Sequence, residues 1–410
     1  MIANVIHSNL NGRGGSERLA ISTIFALAQM DHFDVHLSTL ERPDPLKLIA
    51  SFGQSVLGLF QEIKHIKIWQ SLQKMKLSNP SSTLTVNTHG DLVPFFQRSM
   101  KRTNSVIYCH FPVGKYSIDA VDHVYLRFIR RHDILTSSRA CRIRHLSLLK
   151  NNYIQMIQNS TVLTNSEFSR NEIWKRFRVR TSVLSPPVDV DKFRNTVMLF
   201  RSDREQANTI LVVSRINPSK RLENAIRIAA LLKRQKIADR MILVGNLSPD
   251  DFQYYLHVNR MVKEYELEGF VKFETNASFD VLLDLMRQAK VYLHPLPGEP
   301  FGISTVEAMS AGLIAVVPDI GGHTEFVPRK YQFHTLGEGV EAIADGIQAS
   351  DSERKLLSDS VRKFSVSSYI RSFQKIVNDL LKESSYVEQE NIIGGTHVPI
   401  PRVSAQHLVG

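Results

Sequence analysis

The sequence predicts an α/β protein with two domains, each built around a mainly parallel sheet. Short apolar runs of strand length alternate with longer helix-like runs from the first residue, as in repeated βα units. The length of 410 residues exceeds one ordinary core and favours two domains of roughly 150–200 residues each. The segment VLSPPVDVDKFRNTVMLFRSDREQAN, with its Pro-Pro pair and polar stretch, interrupts the alternation, so we place the domain boundary near residues 190–208.

The first domain, predicted over residues 1–195, begins with a strand, a glycine loop and a helix. The strand is ANVIHS, the loop is NGRGGS, and ERLAISTIFALAQM carries apolar residues at helical spacing. This order is the first unit of a Rossmann-like domain. Four further runs predict strands of the same domain: FDVHLST, STLTVNTH, NSVIYCHF and STVLTNS.

The second domain, predicted over residues 206–364, repeats the pattern. Helix-length segments separate five short apolar runs that predict buried strands: ILVVSR, MILVGN, VKFET, KVYLHPL and LIAVVPD. A helix follows at residues 365–384 and is expected to pack back on the first domain. Residues 385–410 lack a period and predict a loose tail.

Composition indicates a globular protein that is not generally disordered, with 43% hydrophobic and 22% charged residues. Only two cysteines, Cys109 and Cys141, are present, so we expect reduced thiols and neither a disulfide framework nor a cysteine metal cluster. No apolar run approaches the ~20 residues that cross a bilayer, and the start lacks the features of a signal peptide. We therefore expect a cytoplasmic protein.

The charge balance favours an anionic partner. Lys and Arg number 51 against 40 Asp and Glu, a formal net charge of +11. Basic and apolar residues mix in residues 127–150, which suits peripheral contact with an anionic membrane, although a solvated helical face is the equal alternative. Phe95 and Phe96, beside basic residues, form a second candidate patch or a buried pair under a basic rim. Nucleic acid is not an expected partner, because no nucleic-acid-binding module is recognisable.

The stretch HPLPGEPFGISTVEAMSAG places two carboxylates, Glu299 and Glu307, around a Gly/Pro turn and a helix that is expected to begin near Ser304 and Thr305. Free N–H groups and the helix dipole at such a start attract phosphate. Because a carboxylate accepts hydrogen bonds from vicinal hydroxyls, Glu307 is predicted to bind a ribose and Glu299 the transferred sugar of a sugar nucleotide. The alternative is that Glu307 only favours its helix N-terminus and that Glu299 is solvated.

A second candidate site lies in VVSRINPSKRLENAI. Arg215 follows the end of a predicted strand, and Lys220 comes five residues later at a helix start. Two fixed cations at the carboxyl end of a strand suit a diphosphate, and they can neutralise a leaving group without a metal. The alternative is that both are surface residues of a loop.

Candidate residues of the first domain are less specific. His110 follows the strand SVIYC and is a candidate catalytic residue or a structural histidine, and His89 is a similar candidate with less support. Gly14 and Gly15 permit a tight turn or let the backbone approach a phosphate or an acceptor. The DVD at residues 189–191 imitates a metal site, but its place beside the Pro-Pro pair favours a linker, so no metal is expected.

In their order and spacing, these motifs resemble the retaining glycosyltransferases of family 4, which have the GT-B fold of two facing Rossmann-like domains and a C-terminal crossover helix. The resemblance rests on GRGGSERLA, VLTNSEFSRNEI, VLSPPVDVDKF, VVSRINPSKRLENAI, MILVGN, GEPFGISTVEAMSAG, VVPDIGGHTEFV and FSVSSYIRSFQKIV. It implies that Arg215 and Lys220 bind the donor diphosphate, that Glu307 binds ribose and that Glu299 contacts the donor sugar. The implied assisting groups are the backbone amides of Phe301, Gly302, Ile303 and Ser304.

Within this family, VIYCHFPVGKY and LHPLPGEPFGISTVEAMSAGLIAV are closest to the α-1,2-mannosyltransferase subgroup that extends dolichol-linked oligosaccharide. The subgroup implies GDP-mannose as donor, a glycan or lipid-linked acceptor, and work at the cytoplasmic face of a membrane. Because the subgroup's N-terminal anchor is not evident, attachment is expected to be peripheral. The family implies a front-face reaction with retention. The alternatives are a sugar-nucleotide epimerase on the same fold, an inactive relative that binds a nucleotide sugar and, from the net charge, a nucleic-acid-binding protein.

Overall fold

The computed structural model describes residues 1–12, 14–39, 41–52, 62–65, 83–89, 104–112, 157–198 and 207–393. In this part of the chain the first domain contains a parallel sheet in the order β3-β2-β1-β4-β5-β6-β7. Its strands are β1 Ile2–Ile6, β2 Asp34–Thr39, β3 Glu62–His65, β4 Leu84–Asn87, β5 Asn104–Cys109, β6 Thr161–Thr164 and β7 Thr181–Val183. The chain order reverses between β1 and β4, so the crevice of this switch point opens at their carboxyl ends.

The helices described in the first domain are α1 Gly15–Ala28, α2 Pro45–Phe52 and α3 Glu167–Phe177. Helix α1 buries an apolar face that includes Leu19, Ile24 and Leu27. These side chains form the first core together with the inner faces of the sheet, including Val5 and Val86. The core therefore fixes the start of α1 beside the carboxyl end of β1.

The second domain contains a parallel sheet in the order β10-β9-β8-β11-β12-β13, with its own switch point between β8 and β11. The strands are β8 Thr209–Val213, β9 Arg240–Gly245, β10 Val271–Thr275, β11 Val291–Leu293, β12 Ile314–Pro318 and β13 Gln332–Phe333. The helices from the interdomain segment onward are α4 Val190–Met198, α5 Leu222–Arg234, α6 Phe252–Glu264, α7 Phe279–Gln288, α8 Ile303–Ser310, α9 Leu336–Gln348 and α10 Asp351–Ser360.

All the strands that the apolar runs predict are present. The described residues contain three further strands that these runs do not predict: β3, β7 and β13, each at an edge of its sheet. Their sequences, EIKH, TSV and QF, are short and largely polar. An edge strand needs little apolar burial on its open side, so it leaves no apolar run in the sequence.

The chain passes between the domains twice, and the two passages lie side by side. Val188 pairs with Ser365 in an isolated parallel bridge, and Val188 N donates to Phe364 O at 2.9 Å. Val188 and Phe193 already belong to the second core, although the sequence places the end of the first domain at residue 195. The apolar side chains of the interdomain segment, rather than its polar ones, decide which core it joins.

The last helix, α11 Val366–Ile393, returns to the first domain and packs on α1. Tyr369, Phe373 and Val377 are buried in the first core, and Tyr369 Oη lies 2.7 Å from Thr23 Oγ1. The helix continues beyond residue 384, where the sequence predicts the tail to begin, and residues 394–410 lie outside the described residues. None of the helices described is long and apolar enough to cross a bilayer.

Candidate functional site

The loop that carries Glu299 is fixed by backbone hydrogen bonds to the segment after β12. Gly298 N donates to Ile320 O, and Gly322 N donates to Glu299 O, both at 2.7 Å. A Cβ on Gly322 would lie 2.1 Å from the carbonyl oxygen of Pro300, so only glycine allows this approach. The Gly-Gly pair of VVPDIGGHTEFV therefore sets the position of the Glu299 backbone.

Glu299 contacts Lys220 directly. Lys220 Nζ donates to Glu299 Oε2 at 3.0 Å, and His294 Nε2 lies 3.5 Å from the same oxygen. Burial raises the pKa of Glu299, but the hydrogen bond from His294 and the charge of Lys220 outweigh it and leave that pKa well below its usual range. Glu299 is therefore an ionised carboxylate at neutral pH, held between two groups of the second domain.

Tyr292 connects this loop to the start of α8. Its hydroxyl lies 3.0 Å from His294 Nδ1 and 2.8 Å from Ser304 Oγ. Burial raises the pKa of Tyr292, so the phenol stays neutral and can serve as a hydrogen-bond donor. The motifs identify neither Tyr292 nor His294 as a site residue, although Tyr292 lies in β11 and His294 directly follows that strand.

The second carboxylate, Glu307, lies inside α8 and pairs with the other domain. Arg18 Nη1 donates to Glu307 Oε1 at 3.0 Å across the cleft, and the side chain of Glu307 is 11% exposed. Burial raises the pKa of Glu307, and the charge of Arg18 opposes this shift. Arg18 is absent from the sequence-predicted site: it lies in the motif GRGGSERLA, from which only the glycines were taken as candidates.

The start of α8 has the form that favours anion binding. Gly302 precedes the helix with a φ of 96°, and the first turn bonds come from Thr305 N and Val306 N to Gly302 O. The amides of Ile303 and Ser304 belong to the first turn, where N–H groups have no intrahelical acceptor. Phe301 differs from these residues because its ring is buried against Phe326 and Phe364 in the second core. Only its backbone is near the helix start.

Arg215 lies at the same sheet edge but is not held in the way that Lys220 is. It follows the carboxyl end of β8, and its side chain is exposed. Among the described residues, no hydrogen bond or ion pair to the Arg215 side chain is present. Lys220, in contrast, ends the short 3-10 turn Pro218–Lys220, whose geometry directs it to Glu299. The structure thus brings Lys220 and Glu299 together and leaves the Arg215 guanidinium free in the part of the chain that it describes.

Three histidines lie at the carboxyl ends of neighbouring strands of the first sheet: His7 after β1, His89 after β4 and His110 after β5. The rings of His7 and His89 stack at 4.0 Å, and those of His89 and His110 are 6.0 Å apart. His110 Nε2 lies 3.0 Å from the carbonyl oxygen of Thr88. Burial lowers the pKa of His7 to about 3, with His110 acting in the same direction, and burial also lowers the pKa of His89. His7 and His89 are therefore neutral at physiological pH.

The glycine loop of the first domain meets the start of α8. A Cβ on Gly15 would lie 2.3 Å from Ile303 Cδ1, so the missing side chain allows α1 to approach the second domain. Gly14 precedes the helix in extended backbone and is exposed. The loop therefore contacts the helix start that is predicted to bind phosphate.

The first domain also contacts the Glu299 loop through the start of α3. Ser166 Oγ donates to the carbonyl oxygen of Pro300 at 2.6 Å and accepts from Ser169 N as the N-cap of the helix. Phe168 N donates to Glu325 Oε1 at 2.8 Å. The motif TNSEFSR thus holds the carbonyl group of Pro300, the residue that directly follows Glu299.

Other predictions fall at the hinge or outside the described residues. Asp189 and Asp191 are exposed at the interdomain passage. In the described ranges, no group of three or more His, Cys, Asp or Glu side chains is arranged to hold a metal ion. Phe95, Phe96, Cys141 and residues 127–150 lie outside the described residues.

Comparison with known proteins finds similarity to glycosyltransferases. Residues 198–364 match the family model described as Glycosyl transferases group 1. A curated Dictyostelium discoideum protein named GDP-Man:Man(3)GlcNAc(2)-PP-Dol alpha-1,2-mannosyltransferase is 26% identical over 359 residues, which cover 82% of this chain and 68% of that protein. The Homo sapiens protein of the same name is 27% identical over 172 residues, 40% of this chain and 35% of its own length. The second alignment thus spans only about a third of that relative.

A solved structure has the same architecture along nearly the whole chain. The glycosyltransferase from Rickettsia africae ESF-5 superimposes with a TM-score of 0.64 at 12% sequence identity, covering 93% of this chain and 98% of that one. At this identity the likeness concerns the fold, which is the predicted GT-B arrangement. The chain is therefore a glycosyltransferase with the GT-B fold, and its residues 198–364 resemble the glycosyl transferases group 1 family.

Proposed function

We propose that this glycosyltransferase moves mannose from GDP-mannose to a hydroxyl of a lipid-linked oligosaccharide, with retention at the anomeric carbon. The names of the curated relatives support the donor and the acceptor class. The single observation that carries the proposal is the contact between Lys220 and Glu299 beside the first turn of α8. A cation, a carboxylate and free helix amides at one sheet edge match the parts of a diphosphate sugar.

In this proposal the donor lies along the Glu299 loop and the start of α8. Glu307 accepts hydrogen bonds from the ribose hydroxyls, as carboxylates do at nucleotide folds. The diphosphate occupies the space between the cations Arg215 and Lys220 and the first-turn amides of α8. The mannose then reaches Glu299, whose ionised carboxylate accepts hydrogen bonds from sugar hydroxyls.

The reaction breaks the bond between the anomeric carbon and a phosphate oxygen of GDP, and it forms a bond from that carbon to the acceptor oxygen. Negative charge develops on the departing diphosphate, where Lys220, Arg215 and the helix amides stabilise it. The acceptor proton passes to the leaving phosphate oxygen on the same face of the sugar. Glu299 does not attack the sugar in this path, because Lys220 and His294 already hold its carboxylate. Only this chain's side chains and amides act, so the proposed step requires no metal.

The acceptor enters from the first domain. His110 and the glycine loop of Gly14 and Gly15 lie at the carboxyl edge of that sheet, on the side where Gly15 meets α8. The imidazole ring of His110 is a group that can form a hydrogen bond with an incoming hydroxyl. Because the proposed acceptor carries a lipid, we place the enzyme at the cytoplasmic face of a membrane, in peripheral contact with anionic lipid.

The experiment is a transfer assay with radiolabelled GDP-mannose and a synthetic lipid-linked oligosaccharide. We expect label in the lipid fraction, and we expect α-mannosidase to release it as mannose because the new linkage is α. Label that stays in the water-soluble fraction as a changed sugar nucleotide without acceptor would contradict transfer and indicate an epimerase. Label transferred from UDP-glucose but not from GDP-mannose would contradict the proposed donor and leave the transferase intact.

A further inference from the structure

Arg18 is the one interdomain partner described for the carboxylate of Glu307. It lies in the first turn of α1, and its Nη1 is 3.0 Å from Glu307 Oε1, across 289 residues of sequence. The two side chains are 27% and 11% exposed, so the pair is screened only in part by water. A contact of this kind joins the acceptor-side domain to the group that is proposed to hold the donor ribose.

Arg18 opposes the effects around Glu307 that disfavour its ionised form. Burial raises the pKa of Glu307, the neighbouring carboxylate of Asp189 acts in the same direction, and Arg18 acts against both. The phenol of Tyr292 also interacts electrostatically with Glu307. Arg18 therefore acts in favour of the ionised carboxylate, which accepts hydrogen bonds more strongly than the protonated carboxyl.

Two other arginines on elements packed against α8 have partners elsewhere. Arg354 on α10 donates to the carbonyl oxygens of Lys290 and Gly346. Arg194 on α4 pairs with Asp359 at 2.6 Å. Neither guanidinium is recorded at Glu307, so within the described residues Arg18 supplies the positive charge there.

The geometry leaves part of the carboxylate available. Arg18 donates to Oε1, and no hydrogen bond to Oε2 of Glu307 is present among the residues described. An ionised carboxylate has two acceptor oxygens, and one of them is enough to accept a bond from a ribose hydroxyl. The ion pair and a bound ribose are therefore compatible.

We propose that Arg18 is a positioning residue for the donor: it holds Glu307 as a carboxylate through one oxygen and leaves the other oxygen to the ribose. This inference rests on the proposed function, in which Glu307 binds the ribose. Because Arg18 belongs to the first domain, the ribose site is complete only when the two domains are in contact. Gly15, three residues before Arg18, also lies close to Ile303 at the start of α8.

The test is titration calorimetry of the full chain with GDP. We compare the wild type with Arg18→Gln, Arg18→Lys and the control Arg227→Gln, an exposed arginine whose Nη1 donates to Asn224 on its own helix. Arg18→Gln is expected to weaken GDP binding about tenfold, the loss of a charge-assisted hydrogen bond. Arg18→Lys should bind nearly as the wild type, because it restores the charge, and Arg227→Gln should bind as the wild type.

A double-mutant cycle separates action through Glu307 from direct contact with the nucleotide. Glu307→Gln alone should weaken GDP binding, and Arg18→Gln added to it should cause no further loss. The proposal is overturned if the two losses multiply, if Arg18→Lys binds GDP no better than Arg18→Gln, or if Glu307→Gln binds GDP unchanged.

Failure of the proposed function has a different readout in the same titrations. If the wild type binds UDP in preference to GDP, the proposed donor base is wrong, and the cycle is read with UDP, because both nucleotides carry the ribose. If the wild type binds no nucleoside diphosphate, both the proposed function and this inference fail.

Discussion

Lys220 Nζ lies 3.0 Å from Glu299 Oε2, although the two residues are 79 positions apart in the chain. The contact joins the turn after β8 to the loop after β11, on the two sides of the switch point of the second sheet. Ligands of open α/β sheets bind at such a point. The pair therefore marks the place where the donor diphosphate and sugar are proposed to lie.

Replacing Lys220 should affect turnover much more than folding. Lys220→Ala removes the cation that is proposed to stabilise the departing diphosphate, and we expect kcat to fall by about 100-fold or more. Lys220→Arg should recover part of the rate, because it restores the charge. The measurement is steady-state transfer from GDP-mannose, with thermal unfolding of each variant. Lys355→Ala, an exposed lysine of α10, is the control. Transfer near the parental rate in Lys220→Ala would show that this cation is not part of the reaction.

Ser166 should influence catalysis through its hydrogen bond to the carbonyl oxygen of Pro300, the residue after Glu299. Ser166→Ala removes a helix cap, which costs about 1 kcal/mol of stability, and also the bond to the carbonyl oxygen of Pro300. Ser350→Ala is the matched control, because Ser350 caps α10 without contacting the Glu299 loop. We expect similar losses of unfolding free energy in both variants and a fall in kcat of about tenfold only in Ser166→Ala. Equal kcat values in the two variants would contradict a positioning role.

A methyl group at Gly322 should displace the Glu299 loop. The added Cβ would lie 2.1 Å from the carbonyl oxygen of Pro300, so the backbone must move. Misplacement of a reacting group by about 1 Å costs about 100-fold in rate, and we expect a loss of that order in Gly322→Ala. Gly337→Ala, where the nearest atom is 3.8 Å away, should retain the rate and gain about 0.5–1 kcal/mol of stability. Normal transfer in Gly322→Ala would show that the loop position is not critical.

The buried His7 should make the protein less stable in acid. Its ordinary pKa of 6.5 applies to the unfolded chain, and burial lowers the folded pKa to about 3. Between these values the unfolded state binds a proton that the folded state lacks, so stability falls as the pH falls. Replacing His7 with Asn should therefore reduce the loss of unfolding free energy from pH 7 to pH 5 by about 2 kcal/mol.

Urea unfolding of the full chain at several pH values measures this effect, and His89→Asn should act in the same direction. An unchanged dependence on pH in His7→Asn would show that His7 becomes protonated in the folded protein. In that case His7 and His89 would not form a neutral pair on the acceptor side of the cleft.

Much of the fold was predictable because the buried strands have continuous apolar sequences. The inner strands around β1 and β8 bury both faces, so their sequences are continuous runs such as ILVVSR. The edge strands β3, β7 and β13 carry no such run and were missed. The last helix extends to Ile393, beyond residue 384, where the sequence predicts the tail to begin.

The site was predictable where its residues share one segment of chain or one sheet edge. Lys220 and Glu299 follow strands β8 and β11, which are neighbours, so their meeting follows from the topology. Arg18 could not be identified in this way, because its partner belongs to the other domain and the approach of two domains is set by shape. The same holds for Ser166, whose bond to the Pro300 carbonyl depends on how α3 docks.

The central claim is that the cleft at Lys220 and Glu299 binds a sugar nucleotide, and thermal unfolding with added GDP-mannose tests it most directly. A ligand of the folded state at about 100 times its Kd adds about 2.7 kcal/mol of stability, so we expect a clear rise in the Tm of the wild type. The Lys220→Ala, Glu299→Gln double variant should fold and show a much smaller rise. A wild-type Tm that no sugar nucleotide changes, or an equal rise in the double variant, would contradict the claim.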